Sequence, residues 1–271
     1  MRPTEECDEE PTPIWGSEAI DPNGRNLPAL KAKFLLEHLP DAGDVLEVGS
    51  GDGKILRTLV NELPGLRVHG CDIRPWERPA PGVEFRAMTR DIPYASQSFD
   101  AILVVDVLEH VDDPPYLISE IARALRPGGR FVGFVPIEGE RASLYSLYRG
   151  LLGADLYART KHHVQSFTHA DVQELLRERF ELVDVNHAYH LLGHAMDATF
   201  FAAAQLPRLS KFWWRENRYY AKEKTSDSPL ASVLNRMLEL GNLLAYVESR
   251  LLARHRLASA GLLFEARLKS C

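Results

Sequence analysis

Short hydrophobic runs alternate with segments of helical spacing along the first half of the chain. The runs predict strands at 44–48, 67–72, 83–88, 99–105 and 130–135, and the helical spacing predicts helices at 27–38, 54–62 and 114–125. The run Phe99–Val105 is almost continuously apolar, as expected for a strand buried on both faces. This alternation predicts a mostly parallel sheet with helices on both of its faces.

The second half is less regular. We expect a helix over Thr168–Arg179 capped by Thr168, then strands over Phe180–Asn186 and Leu262–Leu268. A long helix is predicted between these strands, from Leu230 to Leu257, because apolar residues recur on one helical face. Those residues are Leu230, Val233, Leu234, Met237, Leu240, Leu244, Val247 and Leu251.

The predicted organisation is therefore an irregular segment over 1–26, an α/β domain over 27–190, a helical insertion over 191–257 and a final strand within 258–271. We expect the insertion to form a helical cap packed on the domain. A dimer surface is the second interpretation. Membrane contact is the third, because Trp213, Trp214, Tyr219 and Tyr220 stand among basic residues and such side chains favour membrane interfaces.

Composition narrows the classes of function. With 271 residues, of which 45% are hydrophobic, the chain can bury a core without disulfides or metals. The formal charge of −6 argues against a broad nucleic-acid-binding surface. Cys7, Cys71 and Cys271 are scattered without a CxxC pair, which predicts no structural zinc and fits a reducing cytoplasm. No secretory signal or membrane-spanning apolar run is expected.

The segment from Val45 to Gly53, Val-Leu-Glu-Val-Gly-Ser-Gly-Asp-Gly, runs from a strand through a glycine-rich turn into a helix. Such a turn indicates a nucleotide-like ligand, because glycines let the backbone approach it closely. A phosphate-binding loop would need glycine at Val48 and Ser or Thr at Ile55, and the dinucleotide fingerprint would need glycine at Lys54. Glu47 beside the turn would repel a pyrophosphate but suits a cationic sulfonium.

Two further acids follow the next two strands. Asp72 ends the second strand and can accept hydrogen bonds from both ribose hydroxyls. Asp91 lies just past the third strand and can accept one from an adenine amino group. Any one of these acids is explained by a solvated loop, but acids at three successive strand ends favour a binding site.

The segment Ser98–Val111 (SFDAILVVDVLEHV) and the later Leu125-Arg126-Pro127-Gly128-Gly129 resemble class I S-adenosylmethionine-dependent methyltransferases. The resemblance is closest to the broad group that includes the ubiquinone-biosynthesis O-methyltransferases. It covers residues 27–136 and, more loosely, 160–190. It implies a Rossmann-like, doubly wound, seven-stranded and mostly parallel sheet of order 3-2-1-4-5-7-6, with the helical cap inserted before the last strand.

The resemblance also implies roles for individual residues. Glu47, Gly49 and Gly51 would contact the methionine part of S-adenosylmethionine, Asp72 the ribose, and Asp91 with Ile92 the adenine. Val105 and Asp106 would lie beside the sulfonium, and Arg25 would meet the cofactor carboxylate. The implied reaction is methyl transfer to an O, N or C atom of a small-molecule or lipid-like acceptor.

Two other functions compete with that reading. One is a cofactor-binding partner subunit without transfer activity. The other is an NAD(P)-dependent oxidoreductase, which Lys54 and the missing Tyr-x-x-x-Lys pattern disfavour.

A general base is needed only when the acceptor must lose a proton. His162 and His163, just before the Thr168 helix, are the candidates for that role, although capping or a surface position also explains them. Packing explains His110 as well as catalysis does. His187, His190 and His194 have no acidic or cysteine partner that would complete a metal site, so no metal is expected.

Overall fold

The computed structural model describes residues 19–51, 53–74, 81–141, 143–152, 163–196 and 229–269. His162 and the aromatic cluster around Trp213 lie outside these ranges, as does the predicted irregular segment up to residue 18.

Seven strands form one sheet. They are β1 Gly43–Val48, β2 Leu66–Asp72, β3 Val83–Ala87, β4 Phe99–Val105, β5 Leu125–Pro136, β6 Phe180–Ala188 and β7 Gly261–Leu268. Their order is β3-β2-β1-β4-β5-β7-β6. Neighbouring strands are parallel except that β7 runs antiparallel to both β5 and β6. The predicted fold class and strand order are confirmed.

Several α-helices pack against the sheet, and residues 191–196 are also helical. The numbered helices are α1 Leu27–His38, α2 Lys54–Glu62, α3 Pro114–Ala124, α4 Leu144–Leu152, α5 His169–Arg177 and α6 Pro229–Leu251, and a short 3-10 helix covers Leu108–His110. Thr168 caps α5 as predicted, through a capping box shared with Asp171. The sequence did not predict α4, and α6 ends at Leu251 rather than at Leu257.

The sheet is buried on both faces, as the apolar runs predicted. Consecutive residues of β4 alternate between two hydrophobic clusters, with Ile102 and Val104 in one and Ala101 and Leu103 in the other. This alternation follows from the two-residue period of a strand. Helices therefore cover the sheet on each side, and the polar ends of the strands are left to form a site.

The segment Pro127-Gly128-Gly129 turns the chain within β5, which begins at Leu125 rather than at the predicted residue 130. There the pairing with β4 moves from Phe99 opposite Leu125 to Ala101 opposite Arg130, so the extra residues bulge out of the ladder. Gly128 takes a positive φ of 74° in this bulge. The strand thus begins before the turn and continues after it.

The long helix α6 packs in an orientation that the sequence did not predict. Its buried residues include Ala245, Tyr246 and Ser249. Polar bonds hold this side of the helix, since the Ser249 hydroxyl accepts the Tyr189 N–H at 3.1 Å and Glu248 accepts the Leu192 N–H at 2.8 Å.

The apolar stripe that was expected to pack on the domain is exposed instead. We define the α6 stripe as Val233, Met237, Leu240, Leu244, Val247 and Leu251, each between 43% and 75% exposed. Periodicity correctly identified an apolar helix face, but it carries no information about which neighbour that face meets. Within the described ranges, no helix is long and apolar enough to cross a bilayer.

Candidate active site

The glycine turn joins β1 to α2 at the carboxyl edge of the sheet. The N–H groups of Gly49 and Ser50 both donate to the Cys71 carbonyl, at 2.8 and 3.2 Å, so the turn is fixed to the end of β2. Gly49 and Gly51 have positive φ angles of 73° and 49°. A Cβ on Gly49 would lie 2.4 Å from a methyl carbon of Val107, whereas one on Gly51 would meet nothing within 4 Å. The turn is therefore tightly packed at its first glycine and open at its second.

Glu47 lies on β1 just before this turn and is only 3% exposed. One of its carboxylate oxygens has no hydrogen-bond partner among the described residues. Burial, and then the negative charge of Asp72, raise the pKa of Glu47 well above its usual range. A buried carboxylate oxygen with spare accepting capacity suits a ligand that brings a cationic or N–H group to this point.

Asp72 connects the turn to the end of β2. One of its carboxylate oxygens accepts the Gly51 N–H at 2.7 Å, and the other accepts the Arg74 N–H at 2.9 Å. Each oxygen keeps further accepting capacity. Asp72 can therefore shape the turn and still accept hydrogen bonds from a diol.

Asp91 and Ile92 follow β3, but the structure gives them different surroundings. Asp91 is exposed, and its carboxylate accepts the Tyr116 hydroxyl at 2.5 Å. Ile92 is 2% exposed, and its N–H donates to Glu120 at 3.1 Å. Of the two, Asp91 presents the accessible polar group. Neither the role of Tyr116 nor that of Glu120 was signalled by a sequence motif.

Asp106 follows β4 and takes a positive φ of 53°. Its carboxylate accepts Lys31 Nζ at 2.7 Å, and that ammonium also lies 3.5 Å from the centre of the Phe134 ring. Burial is the largest single effect and would lower the pKa of Lys31, but the charge and hydrogen bond of Asp106, together with the charges of Tyr189 and Glu109, outweigh it, so the pKa is raised. Val105, the last residue of β4, is partly buried beside them. Sequence reasoning missed Lys31, because no motif near Lys31 indicates that it pairs with Asp106.

His163 reaches the same edge of the sheet. Its Nδ1 lies 2.9 Å from a carboxylate oxygen of Glu138, and its ring meets that of His110 edge-on at 4.8 Å. The N–H groups of Val164 and Gln165 both donate to the Glu109 carbonyl, at 2.8 and 3.0 Å. The segment after His162 is thus attached to the 3-10 helix that follows β4.

Arg25 and His187 make no described contact with the residues of the glycine turn, Asp106 or His163. Arg25 is exposed in the turn before α1. His187 belongs to a second polar cluster, in which His169 Nε2 lies 3.0 Å from the Ser259 hydroxyl and 3.2 Å from His187 Nδ1. His169 Nδ1 lies 2.9 Å from Glu140.

His169 and Ser259 are 3% and 6% exposed, and the Ser259 hydroxyl also donates to the Arg256 carbonyl. This second cluster therefore links buried ends of β6 and β7 to α5, and we assign it a structural role.

Comparison with known proteins agrees with this geometry. A family model described as "Methyltransferase domain" matches residues 23–185. The chain is 35% identical over 97 residues to a demethylmenaquinone methyltransferase of Tropheryma whipplei, an alignment that covers 33% of this chain and 40% of that protein. It is 29% identical over 173 residues to a ubiquinone biosynthesis O-methyltransferase of Xanthomonas oryzae pv. oryzae, covering 56% and 68%.

Among solved structures, geranyl diphosphate C-methyltransferase from Streptomyces coelicolor, in complex with Mg²⁺, geranyl diphosphate and S-adenosyl-L-homocysteine, superposes with a TM-score of 0.52 at 16% identity. That match covers 90% of this chain and 81% of the other, and it shows a shared fold. The chain spans 40% to 54% of the length of the first curated relatives that it matches. Because the family model covers more than half of the chain, the protein belongs to the methyltransferase-domain family.

Proposed function

We propose that the protein transfers a methyl group from S-adenosylmethionine to an O, N or C atom of a small-molecule or lipid-like acceptor. The observation that carries this proposal is the pair of acids Glu47 and Asp72 at the glycine turn. Glu47 holds a buried oxygen without a partner among the described residues, and Asp72 braces the turn while keeping accepting capacity. Two carboxylates there favour a cationic ligand with a ribose and oppose one that brings phosphates.

When bound, the cofactor supplies an electrophilic methyl group on its sulfonium. The chain's own contribution is to orient the cofactor and to set the charge around it, and these are the main sources of acceleration in such displacements. Glu47 would accept from the methionine part, Asp72 from the ribose and Asp91 from the adenine. Asp106 and Val105, at the end of β4, would lie beside the donor.

Where the acceptor must lose a proton, His163 is the described histidine placed to promote that loss. Its Nδ1 is engaged by Glu138, so Nε2 is the nitrogen that would face an acceptor or another ligand. His162, the other candidate base, lies outside the described residues. Replacing His163 by Ala is expected to reduce turnover by about 10²-fold or more, with little change in cofactor affinity.

The experiment that tests the function has two stages. Calorimetry should first show that the purified chain binds S-adenosylhomocysteine far more tightly than NAD or ATP. Copurifying small molecules identified by mass spectrometry should then be offered as acceptors with isotopically labelled S-adenosylmethionine.

Tight NAD binding without S-adenosylhomocysteine binding would refute the proposal in favour of an oxidoreductase. Cofactor binding without label transfer to any acceptor would favour the non-catalytic partner subunit.

For the insertion, we propose that the α6 stripe contacts a second copy of the chain. Its residues follow one another at alternating intervals of four and three, which is the 3.5-residue period of a coiled-coil seam. Membrane contact through the aromatic cluster around Trp213 is the competing proposal. We also propose a cytoplasmic location, because scattered cysteines without a CxxC pair fit a reducing compartment.

A further inference from the structure

Three side chains lie close together just beyond β4, outside the proposed cofactor site. One ligand atom each from Glu109, His110 and His163 can be chosen so that all three lie within 4.8 Å of one another. We propose that these residues bind a divalent metal ion, Zn²⁺ or another first-row transition metal. The sequence analysis expected no metal and did not consider Glu109, which is far from His163 along the chain.

The backbone holds the three residues in place without any ion. The Glu109 carbonyl accepts two N–H bonds, from Val164 and Gln165, and the Gln165 side-chain amide donates to the Val111 carbonyl at 3.2 Å. The residues next to His163 are therefore hydrogen-bonded to the two neighbours of His110, Glu109 and Val111. Such preorganisation reduces the ordering that metal binding would otherwise require.

The Glu109 side chain is the observation that points to a ligand. The residue is 1% exposed, and neither carboxylate oxygen has a hydrogen-bond partner among the described residues. The nearby ammonium of Lys31 is directed to Asp106 instead, at 2.7 Å. A buried carboxylate without donors is unusual, because buried charges are normally paired or coordinate metals. His110 Nε2 lies 4.0 Å from one of these oxygens, beyond hydrogen-bonding distance, and a metal ion would bond to both groups.

Glu138 gives His163 the second contact expected of a metal-bound histidine. It is 1% exposed and lies 2.9 Å from His163 Nδ1. A carboxylate on Nδ1 places the proton there and leaves the Nε2 lone pair for an ion. The competing explanation is a simple buried ion pair between Glu138 and His163. That pair accounts for His163 but leaves Glu109 unexplained.

The chemistry of the ligand set identifies the class of ion. Two imidazoles and one carboxylate suit Zn²⁺ and related ions rather than Mg²⁺ or Ca²⁺, which prefer oxygen ligands. Three protein ligands leave coordination positions open.

Glu109 stands three residues after Asp106, so, resting on the proposed function, the open positions would take an oxygen of the methyl acceptor. His163 then acts as a ligand rather than as the base, and the ion lowers the pKa of the coordinated acceptor hydroxyl, so that its proton passes to solvent water before the oxygen takes the methyl group.

The test is a direct metal titration of the full chain, prepared without a histidine tag and stripped with a chelator that is then removed. Co²⁺ is the probe, because its visible absorption reports coordination by protein ligands, and Zn²⁺ is added afterwards as competitor. The variants are Glu109→Gln, His163→Ala and Glu138→Gln. His255→Ala, at an exposed histidine, is the matched control. Circular dichroism and S-adenosylhomocysteine binding confirm that each variant is folded.

We expect one equivalent of Co²⁺ on the wild type and on His255→Ala, displaced by Zn²⁺, and a higher melting temperature with metal. Glu109→Gln and His163→Ala should lose the spectrum and the thermal shift, while Glu138→Gln should weaken binding about 10- to 100-fold.

Equal binding by all variants, or no binding above that of free histidine, would overturn the metal site. None of these readouts depends on methyl transfer, so a failure here is distinct from a failure of the proposed function.

Discussion

Replacing Gly49 by Ala tests the packing of the glycine turn most directly, because Gly51 provides a matched control two residues away. Both glycines have positive φ, 73° and 49°, so an alanine at either position carries a left-handed backbone strain of about 1–2 kcal/mol. Only at Gly49 would the new Cβ meet a neighbour, at 2.4 Å and 3.2 Å from the two methyl carbons of Val107.

The extra cost at Gly49 can be assessed from that contact. Carbon atoms in good contact are about 3.5–4.0 Å apart, so Val107 must move or change rotamer. Val107 packs against the main hydrophobic cluster, and overpacking of this kind typically costs about 1–3 kcal/mol. Gly49→Ala should therefore destabilise the fold by about 2–5 kcal/mol, and Gly51→Ala by about 1–2 kcal/mol.

Urea unfolding followed by circular dichroism measures both free energies. A double-mutant cycle with Val107→Ala then isolates the contact, because Val107→Ala removes the two methyl groups in question. In that background Gly49→Ala should cost only the backbone strain, which gives a coupling of about 1–3 kcal/mol. Equal destabilisation by Gly49→Ala and Gly51→Ala, or a coupling near zero, would refute the packing argument.

Three further outcomes are expected. Asp72→Asn should weaken S-adenosylhomocysteine binding in calorimetry about 10- to 100-fold, because one charged acceptor contributes about 1.5–3 kcal/mol, while the exposed Asp112→Asn should bind like the wild type. Burial lowers the pKa of His187 to about 4, so between about pH 6.5 and pH 4 the unfolded chain binds more protons and stability falls as the pH is lowered. His187→Gln should make that decline in urea stability shallower, and an unchanged slope would contradict it. Light scattering should give twice the 30.5 kDa chain mass for the wild type and the monomer mass for Leu240→Glu/Leu244→Glu, and a monomeric wild type would reject the dimer.

The elements that the sequence predicted well are those specified by adjacent residues. The bounds of β4 and α2 agree with the predicted Phe99–Val105 and Lys54–Glu62. The strand is a short apolar run followed by Asp106, and the helix has helical apolar spacing preceded by Gly53. The strand order came from the family resemblance, and the structure confirms it. The acids proposed to bind the cofactor were recognisable because each stands at or just past the end of its own strand.

The residues that sequence reasoning missed are specified by distant contacts. Lys31 meets Asp106 across 75 positions of the chain, and Glu138 meets the predicted candidate His163 across 25. No local period or spacing marks such pairs. The prediction that the α6 stripe packs on the domain was wrong for a related reason. Amphipathicity identifies an apolar helix face but does not identify the surface that covers it. Polar bonds from Glu248 and Ser249 fix the opposite side of α6 to the domain.

The contact between Gly49 and Val107 connects the cofactor turn to the acceptor side. In this sheet β2 and β3 follow β1 on one side, whereas β4 lies on its other side, so the turn after β1 faces the segment after β4 at the point where ligands bind in such folds. Val107 follows Asp106 and precedes Glu109 by two positions. A Cβ on Gly49 that displaces Val107 must therefore also move Asp106, the acid proposed to lie beside the methyl donor, and Glu109, the proposed metal ligand.

Gly49→Ala should weaken the binding of both S-adenosylhomocysteine and Co²⁺. Gly51→Ala, with open space around its Cβ, should weaken only the binding of S-adenosylhomocysteine. Loss of Co²⁺ binding as well in Gly51→Ala would show that the two sites are not coupled through Val107.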